Sequence, residues 1–155
     1  RVGYLDRAMR TTKTYCFIFA RAGSKGLPNK NVQLLAGKPL LSYPIHLAKT
    51  LPFIDKIFVS TDSSEAMSIA KKNNVTVIPR PEELASDNAN EFDAWKHAIL
   101  WVTDNVGHFD NFISLLKRNL FKFIFHESLF VISFKDFCSI NILSKLIKSL
   151  TFIPF

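Results

Sequence analysis

Apolar residues fall into two kinds of stretch along this chain: short, nearly continuous runs, and longer segments with helical spacing. Tyr15-Cys16-Phe17-Ile18-Phe19-Ala20 is the first run. It lacks polar alternation, so it reads as a strand buried on both faces, as in a parallel sheet. Lys56 to Ser60, Val75 to Ile78 and Phe112 to Leu116 read as three further strands. Between them lie three helical segments. Ser42 to Thr50 has Ser42 as its expected N-cap and Pro44 in the first turn. Asp62-Ser63-Ser64-Glu65 opens a second helix in the manner of a capping box, with Asp62 as its expected cap. Ala66, Ile69 and Ala70 are apolar along that helix, and Asn73-Asn74 ends it. From about Glu91 to Val102, the residues Phe92, Trp95, Ile99 and Val102 recur every three or four positions and predict an amphipathic helix. Phe92, Trp95 and Trp101 are expected in the core, whereas His46 and His97 are expected to be surface or half-buried histidines.

Strands alternating with helices predict an α/β fold: a parallel sheet of four strands, joined by right-handed crossovers, with flanking helices on both faces. Such sheets bind ligands at the carboxyl ends of their strands. That rule singles out the loop after Ala20, the pair Thr61-Asp62 and the loop after Ile78.

The pattern holds from residue 14 to about residue 116. Residues 1–13 read as an N-terminal extension, within which Met9 is an alternative start. Residues 117–155 form an atypical tail: Phe, Lys, Ile, Ser, Leu and Asn dominate, glycine is missing, and the apolar positions sustain neither period two nor 3.6. Two origins fit that composition, an AT-rich stretch read out of frame or past its proper end, and a divergent helical segment. With the C-terminal part of the fold missing or replaced, Phe112 and Leu115 are expected to lack their usual cover.

Charge changes this picture little. The net charge is +7, but residues 1–116 carry 14 Lys/Arg against 11 Asp/Glu, and the tail carries 6 against 2. Basic residues do not cluster among exposed-looking aromatics in the first 116 residues, so a nucleic-acid partner is not expected. Cys16 and Cys138 lie far apart in apolar runs and read as two buried free thiols. There is no apolar segment of signal-peptide type and no uncharged run of about 18 residues, so a cytoplasmic protein without a membrane span is expected.

The candidate chemistry lies in Arg21-Ala22-Gly23-Ser24-Lys25-Gly26-Leu27-Pro28-Asn29-Lys30-Asn31, directly after the first strand. Gly23 and Gly26 can adopt positive φ and admit a ligand to the backbone. Successive exposed N–H groups form a concave anion site. Arg21, Lys25 and Lys30 add positive charge, and Pro28 restricts the loop. A triphosphate requires this combination of oriented donors, cations and small side chains. The spacing is neither that of a Walker A loop nor that of a dinucleotide fingerprint.

Phe19 to Asn31 resembles the signature loop of the acylneuraminate cytidylyltransferases, which reads nearly Pro-Ala-Arg-Gly-Gly-Ser-Lys-Gly-Ile-Pro-x-Lys-Asn. Leu35-Ala36-Gly37-Lys38-Pro39-Leu40-Leu41, Phe58-Val59-Ser60-Thr61-Asp62 and Arg80-Pro81-Glu82-Glu83-Leu84-Ala85-Ser86-Asp87 resemble three further motifs of that family, in order and at sensible spacing. The resemblance implies a Rossmann-like nucleotidyltransferase fold of glycosyltransferase-A type. It implies a reaction in which CTP and a nine-carbon 2-keto sugar acid give a CMP-sugar and pyrophosphate. By the same resemblance, Arg21 and Lys25 hold the phosphates and act in catalysis, with the backbone of Gly23 and Ser24 beside them and Lys30 adding charge. Asn31 hydrogen-bonds the nucleotide, Arg80 lies near the cytosine, and backbone from Asp87 to Ala89 reads the base edge. Mg²⁺ is the implied cofactor, and a homodimer is the implied assembly.

The sequence departs from the family after Leu116, where Lys117-Arg118-Asn119 replaces a Pro-Thr-Ser-Pro-Leu-Arg-like segment. The family's dimerisation hairpin and its late metal-binding aspartate pair are not found, so this chain is expected to lack synthetase activity on its own. Ala22 and Phe19 are milder departures. A 3-deoxy-manno-octulosonate cytidylyltransferase is an alternative, although its loop is expected to read Ser-Thr-Arg-Leu-Pro-Gly-Lys. A non-catalytic nucleotide-binding remnant is another.

Overall fold

The computed structural model describes residues 12–23, 29–86, 89–115 and 129–133. Ser24, Lys25, Gly26, Leu27, Pro28, Asp87, Asn88 and Cys138, together with most of the tail, lie outside the described residues. The elements run β1 (Thr14–Phe19), β2 (Leu34–Leu35), β3 (Lys38–Pro39), α1 (Ser42–Thr50), β4 (Lys56–Thr61), α2 (Ser64–Lys72), β5 (Thr76–Pro79), α3 (Glu91–Asn105), β6 (Asn111–Leu115) and β7 (Leu129–Ser133). Two 3-10 turns, Lys30–Val32 and Glu82–Leu84, punctuate the loops.

Five strands form one sheet in the order β5-β4-β1-β6-β7. β1 pairs in parallel with both β4 and β6, and β4 pairs in parallel with β5. The register brings Phe17 opposite Phe58 on one side and Ser114 on the other. From β1 the chain builds outward through β4 and β5, then returns to place β6 on the opposite side of β1. The carboxyl ends of β1 and β6 therefore flank a topological switch point, the place where open α/β sheets form a ligand crevice.

Successive residues of a strand face opposite ways, and this sheet sorts its residues by shape. Cys16, Ile18 and Ala20 face one side with Val59, Ile113 and Leu115, and there they pack on Leu41, Ile45 and Ala48 of the α1 region and on Ala66 and Ala70 of α2. Tyr15 and Phe17 face the other side with Phe58 and Phe112, against Trp95, Ala98, Ile99 and Val102 of α3 and against Phe109. The first layer is aliphatic and the second is aromatic. Ring centroids stand 5.3 Å apart for Phe17–Phe58, 4.6 Å for Phe17–Phe112 and 5.5 Å for Trp95–Phe112. Phe17 sits at the middle of this aromatic layer with no exposed surface. Truncating such a side chain to alanine costs about 3–5 kcal/mol.

Several expectations are corrected. Ser42 is not the cap of α1: Leu41 holds that position with no side-chain cap bond, and Ser42 is buried inside the first turn. Asp62 does not cap α2. Ser63 does, with its Oγ accepting the Ala66 N–H at 3.2 Å, so Glu65 falls one position short of a capping box and accepts from the Ser63 hydroxyl instead. Phe92 stays 39% exposed while Trp95 is buried, because the Asn90 cap starts the helix so that Ala94, Trp95, Ala98, Ile99 and Val102 form the inner face. The sheet is mixed rather than wholly parallel: within the tail, Leu129–Ser133 adds a fifth strand, antiparallel to β6. Phe112 and Leu115 are buried, at 1% and 7% exposure, rather than bare. A small hairpin, β2–β3, also forms where no strand was expected. Its turn residues Ala36 and Gly37 both have positive φ, 47° and 77°, as a tight two-residue hairpin turn requires.

Candidate functional site

The carboxyl ends of β1, β4 and β5 converge through backbone ties before any side-chain chemistry enters. The Ala20 N–H donates to the Ser60 carbonyl at 2.9 Å, and the Arg80 N–H donates to the Thr61 carbonyl at 3.0 Å. The buried Thr61 hydroxyl donates to the Ala20 carbonyl and accepts the Ser63 N–H at 3.0 Å. Thr61 thus fastens the exit of β1 to the start of α2. It fixes the points from which the loop at 21–31 and the segment at 80–90 depart.

Arg21, Asp62 and Arg80 meet at this edge. The Arg21 Nη1 donates to the Ser86 carbonyl at 2.9 Å, which brings the loop after β1 to the loop after β5. The same carbonyl accepts the Ala89 N–H at 3.2 Å, so Arg21 and the half-buried Ala89 share one acceptor. The Asp62 Oδ1 accepts the Ala22 N–H at 2.8 Å. The Asn31 Nδ2 donates to the Arg21 carbonyl at 2.8 Å. Asn31 therefore spends one amide donor on its own loop, a role that its assignment to the nucleotide did not anticipate. Lys30 lies half-buried in the 3-10 turn behind Asn29, whose φ of 52° lets the chain enter that turn.

Arg80 is half-buried at this edge. Its Nε donates to the Ser60 Oγ at 3.3 Å, and its guanidinium carbon lies 5.4 Å from the centroid of the Phe19 ring. Its Nη2 is buried and has no hydrogen-bond partner among the described residues. Burial pulls the guanidinium below its ordinary pKa; Asp62 acts against that fall, Arg21 adds to it, and Glu91 at the start of α3 again opposes it. Burial and the Arg80 charge likewise hold the half-buried His97 imidazole below its ordinary value. His46 is exposed on α1 and stands apart from this group in the sequence of elements.

Gly23 is exposed, and among the described residues nothing stands within 4 Å of where a Cβ would lie. It does not adopt positive φ, unlike Gly37 and Gly107. The open space above it, rather than a left-handed conformation, is what its missing side chain provides. Ser24, Lys25 and Asp87 were read from sequence as phosphate- or base-binding residues and lie outside the described residues. Sequence reasoning gave Asp62 a capping role. Its long-range bond to Ala22 carries no local signature and could only be seen once β1 and β4 were placed side by side.

Among the described residues, no group of three or more His, Cys, Asp or Glu side chains is gathered to hold a metal ion. Asp62 follows β4 at this edge, but its Oδ1 is engaged by Ala22. Mg²⁺ takes one or two carboxylates together with substrate phosphates, and among the described residues Asp62 is a carboxylate at this edge. Among the described residues, no helix is long and apolar enough to cross a membrane. Cys16 is a free, buried thiol whose pKa burial pushes up to about 12, which makes it an inert core residue.

A family model described as cytidylyltransferase matches residues 15–99. The N-acylneuraminate cytidylyltransferase of Escherichia coli is 45% identical over 93 residues, which cover 60% of this chain and 22% of that protein. The protein of the same name from Streptococcus agalactiae serotype III is 42% identical over 95 residues, covering 60% and 23%. A Helicobacter pylori protein named as a pseudaminic acid cytidylyltransferase joined to a hydrolase is 34% identical over 82 residues, covering 52% and 16%. The chain thus spans about a fifth of the length of the curated relatives it matches. Among solved structures, a CMP-2-keto-3-deoxy-manno-octonic acid synthetase complexed with CTP superposes with a TM-score of 0.54 at 24% identity, covering 67% of this chain and 39% of that one. A cytidylyltransferase from Leptospira borgpetersenii superposes with a TM-score of 0.52 at 22% identity, covering 66% and 40%. At those identities, both likenesses speak for the fold alone. The matched stretch runs from β1 into α3 and contains Arg21, Asn31, Asp62 and Arg80, and on that ground this chain belongs to the cytidylyltransferase family.

Proposed function

We propose that the carboxyl edge of this sheet binds CTP and that the protein serves a cytidylyl transfer to a nine-carbon 2-keto sugar acid of the sialic type. One observation carries the reading: Arg21 and Arg80, brought from distant parts of the chain, stand at one edge, and Arg80 keeps a buried Nη2 donor without a partner among the described residues. A buried donor left unmet costs about 1–3 kcal/mol, and an acceptor atom of a bound nucleotide would remove that cost. The relatives' names supply the substrate class. Those with the higher identities are N-acylneuraminate cytidylyltransferases, and the pseudaminic acid protein also activates a sugar acid by its name.

In this proposal the sugar's anomeric hydroxyl attacks the α-phosphorus of CTP. A new P–O bond forms, the bond from the α-phosphorus to the bridging oxygen breaks, pyrophosphate leaves with that electron pair, and the hydroxyl proton passes to solvent. Arg21 and Lys25 stabilise the charge that builds on the phosphate oxygens, with Lys30 close by in the same loop, because fixed cations act where charge develops. Arg80 orients the nucleoside, and the backbone around Asp87 to Ala89 reads the base edge. Mg²⁺ belongs to this proposal as the cation that would share the charge of the triphosphate. A cytoplasmic location and a homodimer belong to the same proposal.

Titrating the full chain with CTP, CDP, CMP and cytidine tests the reading. Affinity is expected to rise with each phosphate added. Equal affinity for cytidine and CTP would remove the phosphate assignment from the loop at 21–31.

A further inference from the structure

A carboxylate beside two arginines is out of place at an anion site, since it repels the ligand that the arginines attract. Asp62 is such a carboxylate. It does not serve α2, because Ser63 already caps that helix and Thr61 already accepts the Ser63 N–H. Its bond runs instead to Ala22, across the sheet edge, at 2.8 Å.

The acceptor of the Asn31 bond and the donor of the Asp62 bond belong to the same chemical group. The carbonyl of Arg21 and the N–H of Ala22 are the two polar ends of a single planar peptide unit. Asn31 holds the carbonyl end at 2.8 Å and Asp62 holds the N–H end at 2.8 Å. Fixing both ends fixes the plane, and with it the direction in which the chain leaves β1 and the origin of the Arg21 side chain. The Arg21 guanidinium is held in turn on the Ser86 carbonyl. Without such a clamp, the entropy lost in ordering this backbone would oppose ligand binding.

We propose that Asp62 is a positioning residue: as a hydrogen-bond acceptor it clamps the Arg21–Ala22 peptide, and this preorganisation outweighs the repulsion its charge exerts on a bound anion. The inference rests on the CTP reading above for the identity of the ligand, though not for the existence of the clamp.

Two substitutions separate acceptor from charge. Asp62→Ala removes both. Asp62→Asn removes the charge and keeps an oxygen that can accept the Ala22 N–H. Electrostatics alone predicts that both variants bind CTP more tightly than the wild type. A carboxylate needed for itself, as a metal ligand or a base, predicts that both bind or react worse. The clamp predicts a split: CTP affinity falls roughly tenfold in Asp62→Ala, the equivalent of one hydrogen-bond-sized term, and in Asp62→Asn it equals or exceeds that of the wild type.

The decisive experiment measures CTP affinity by calorimetry, and amide hydrogen exchange of Ala22 without nucleotide, on the full chain and both variants at a temperature where circular dichroism shows all three folded. The exchange is expected to be slow in the wild type and in Asp62→Asn, and at least roughly tenfold faster in Asp62→Ala. Equal losses of affinity in the two variants, or tighter binding by Asp62→Ala, would overturn the proposal. Should Asp62→Ala not fold, a fast-exchanging Ala22 amide in the wild type, or an Asp62→Asn variant that loses CTP binding, would still overturn it. Failure of the wild type to bind CTP would strike the functional reading alone, because the exchange arm uses no ligand.

Discussion

The guanidinium carbon of Arg80 lies 5.4 Å from the centroid of the Phe19 ring, while Arg80 Nε donates to the Ser60 Oγ at 3.3 Å. A cation over an aromatic face in a desolvated setting is held as a planar group, and lysine cannot reproduce that. The arrangement leaves Nη2 buried and unmatched among the described residues. Arg80 is therefore an expense to the empty protein and an asset to the loaded one. Arg80→Met is expected to leave stability unchanged or to raise it by about 1 kcal/mol, since an apolar side chain needs no partner there, and to weaken CTP binding by about 2 kcal/mol. Thermal unfolding and nucleotide titration on the same preparation check the split. Parallel losses in both would mean that Arg80 is a packing residue.

Gly23 offers a test of how closely a ligand approaches the loop. Among the described residues nothing stands within 4 Å of a Cβ at this position, and φ is not positive. Gly23→Ala is expected to keep or slightly increase stability, by up to about 1 kcal/mol, through the unfolded state. If phosphate oxygens lie on the backbone there, the same methyl group lowers CTP affinity by roughly tenfold or more. Unchanged affinity would place the phosphates elsewhere.

His97 gives the fold a pH dependence with a definite sign. Burial and Arg80 hold its imidazole below the ordinary value of 6.5. As pH falls through that ordinary range, the unfolded chain takes up the proton before the folded one does. The contribution of His97 to stability is thus present above pH 6.5 and is lost as the pH drops below it. In urea unfolding between about pH 7 and pH 5, His97→Gln should show a flatter decline than the wild type. Identical slopes would mean that the His97 imidazole is not held below its ordinary value.

Much of this architecture was legible in the residues. Tyr15 to Ala20 announced a strand buried on both faces because neither face could be polar, and Asn73-Asn74 announced the end of α2. The rule that strand ends are ligand ends singles out the loops after Ala20 and Ile78, and the family resemblance names Arg21 and Arg80 within them. The misses have a common physical cause. Ser42 and Asp62 looked like caps because capping is read from local spacing, whereas Leu41 and Ser63 took those positions in the folded chain. The antiparallel strand at Leu129–Ser133 had no period-two signal to find, since its pairing with β6 is a long-range choice. The Asn31–Asp62 clamp joins side chains that become neighbours of one peptide only after β1 and β4 pair.

Ser114 tests the packing of the aromatic layer. It is fully buried, lies opposite Phe17 in the register, and its Oγ has no partner among the described residues. A buried hydroxyl of this kind costs more than the hydrogen bond it fails to make. Ser114→Ala is expected to raise the unfolding free energy by about 1 kcal/mol, read from the shift in the urea midpoint. A loss of similar size would show that the hydroxyl is bonded after all.

The central claim is that Arg21 and Arg80 together form a CTP site at the carboxyl edge of the sheet. Isothermal titration of CTP into the full chain, into Arg21→Ala and into Arg80→Met tests it most directly. Saturable binding by the wild type is predicted, weakened by about 1.5–3 kcal/mol in each variant, as for hydrogen bonds to a charged group. Equal affinity in all three proteins, or no binding by a folded wild type, would contradict it.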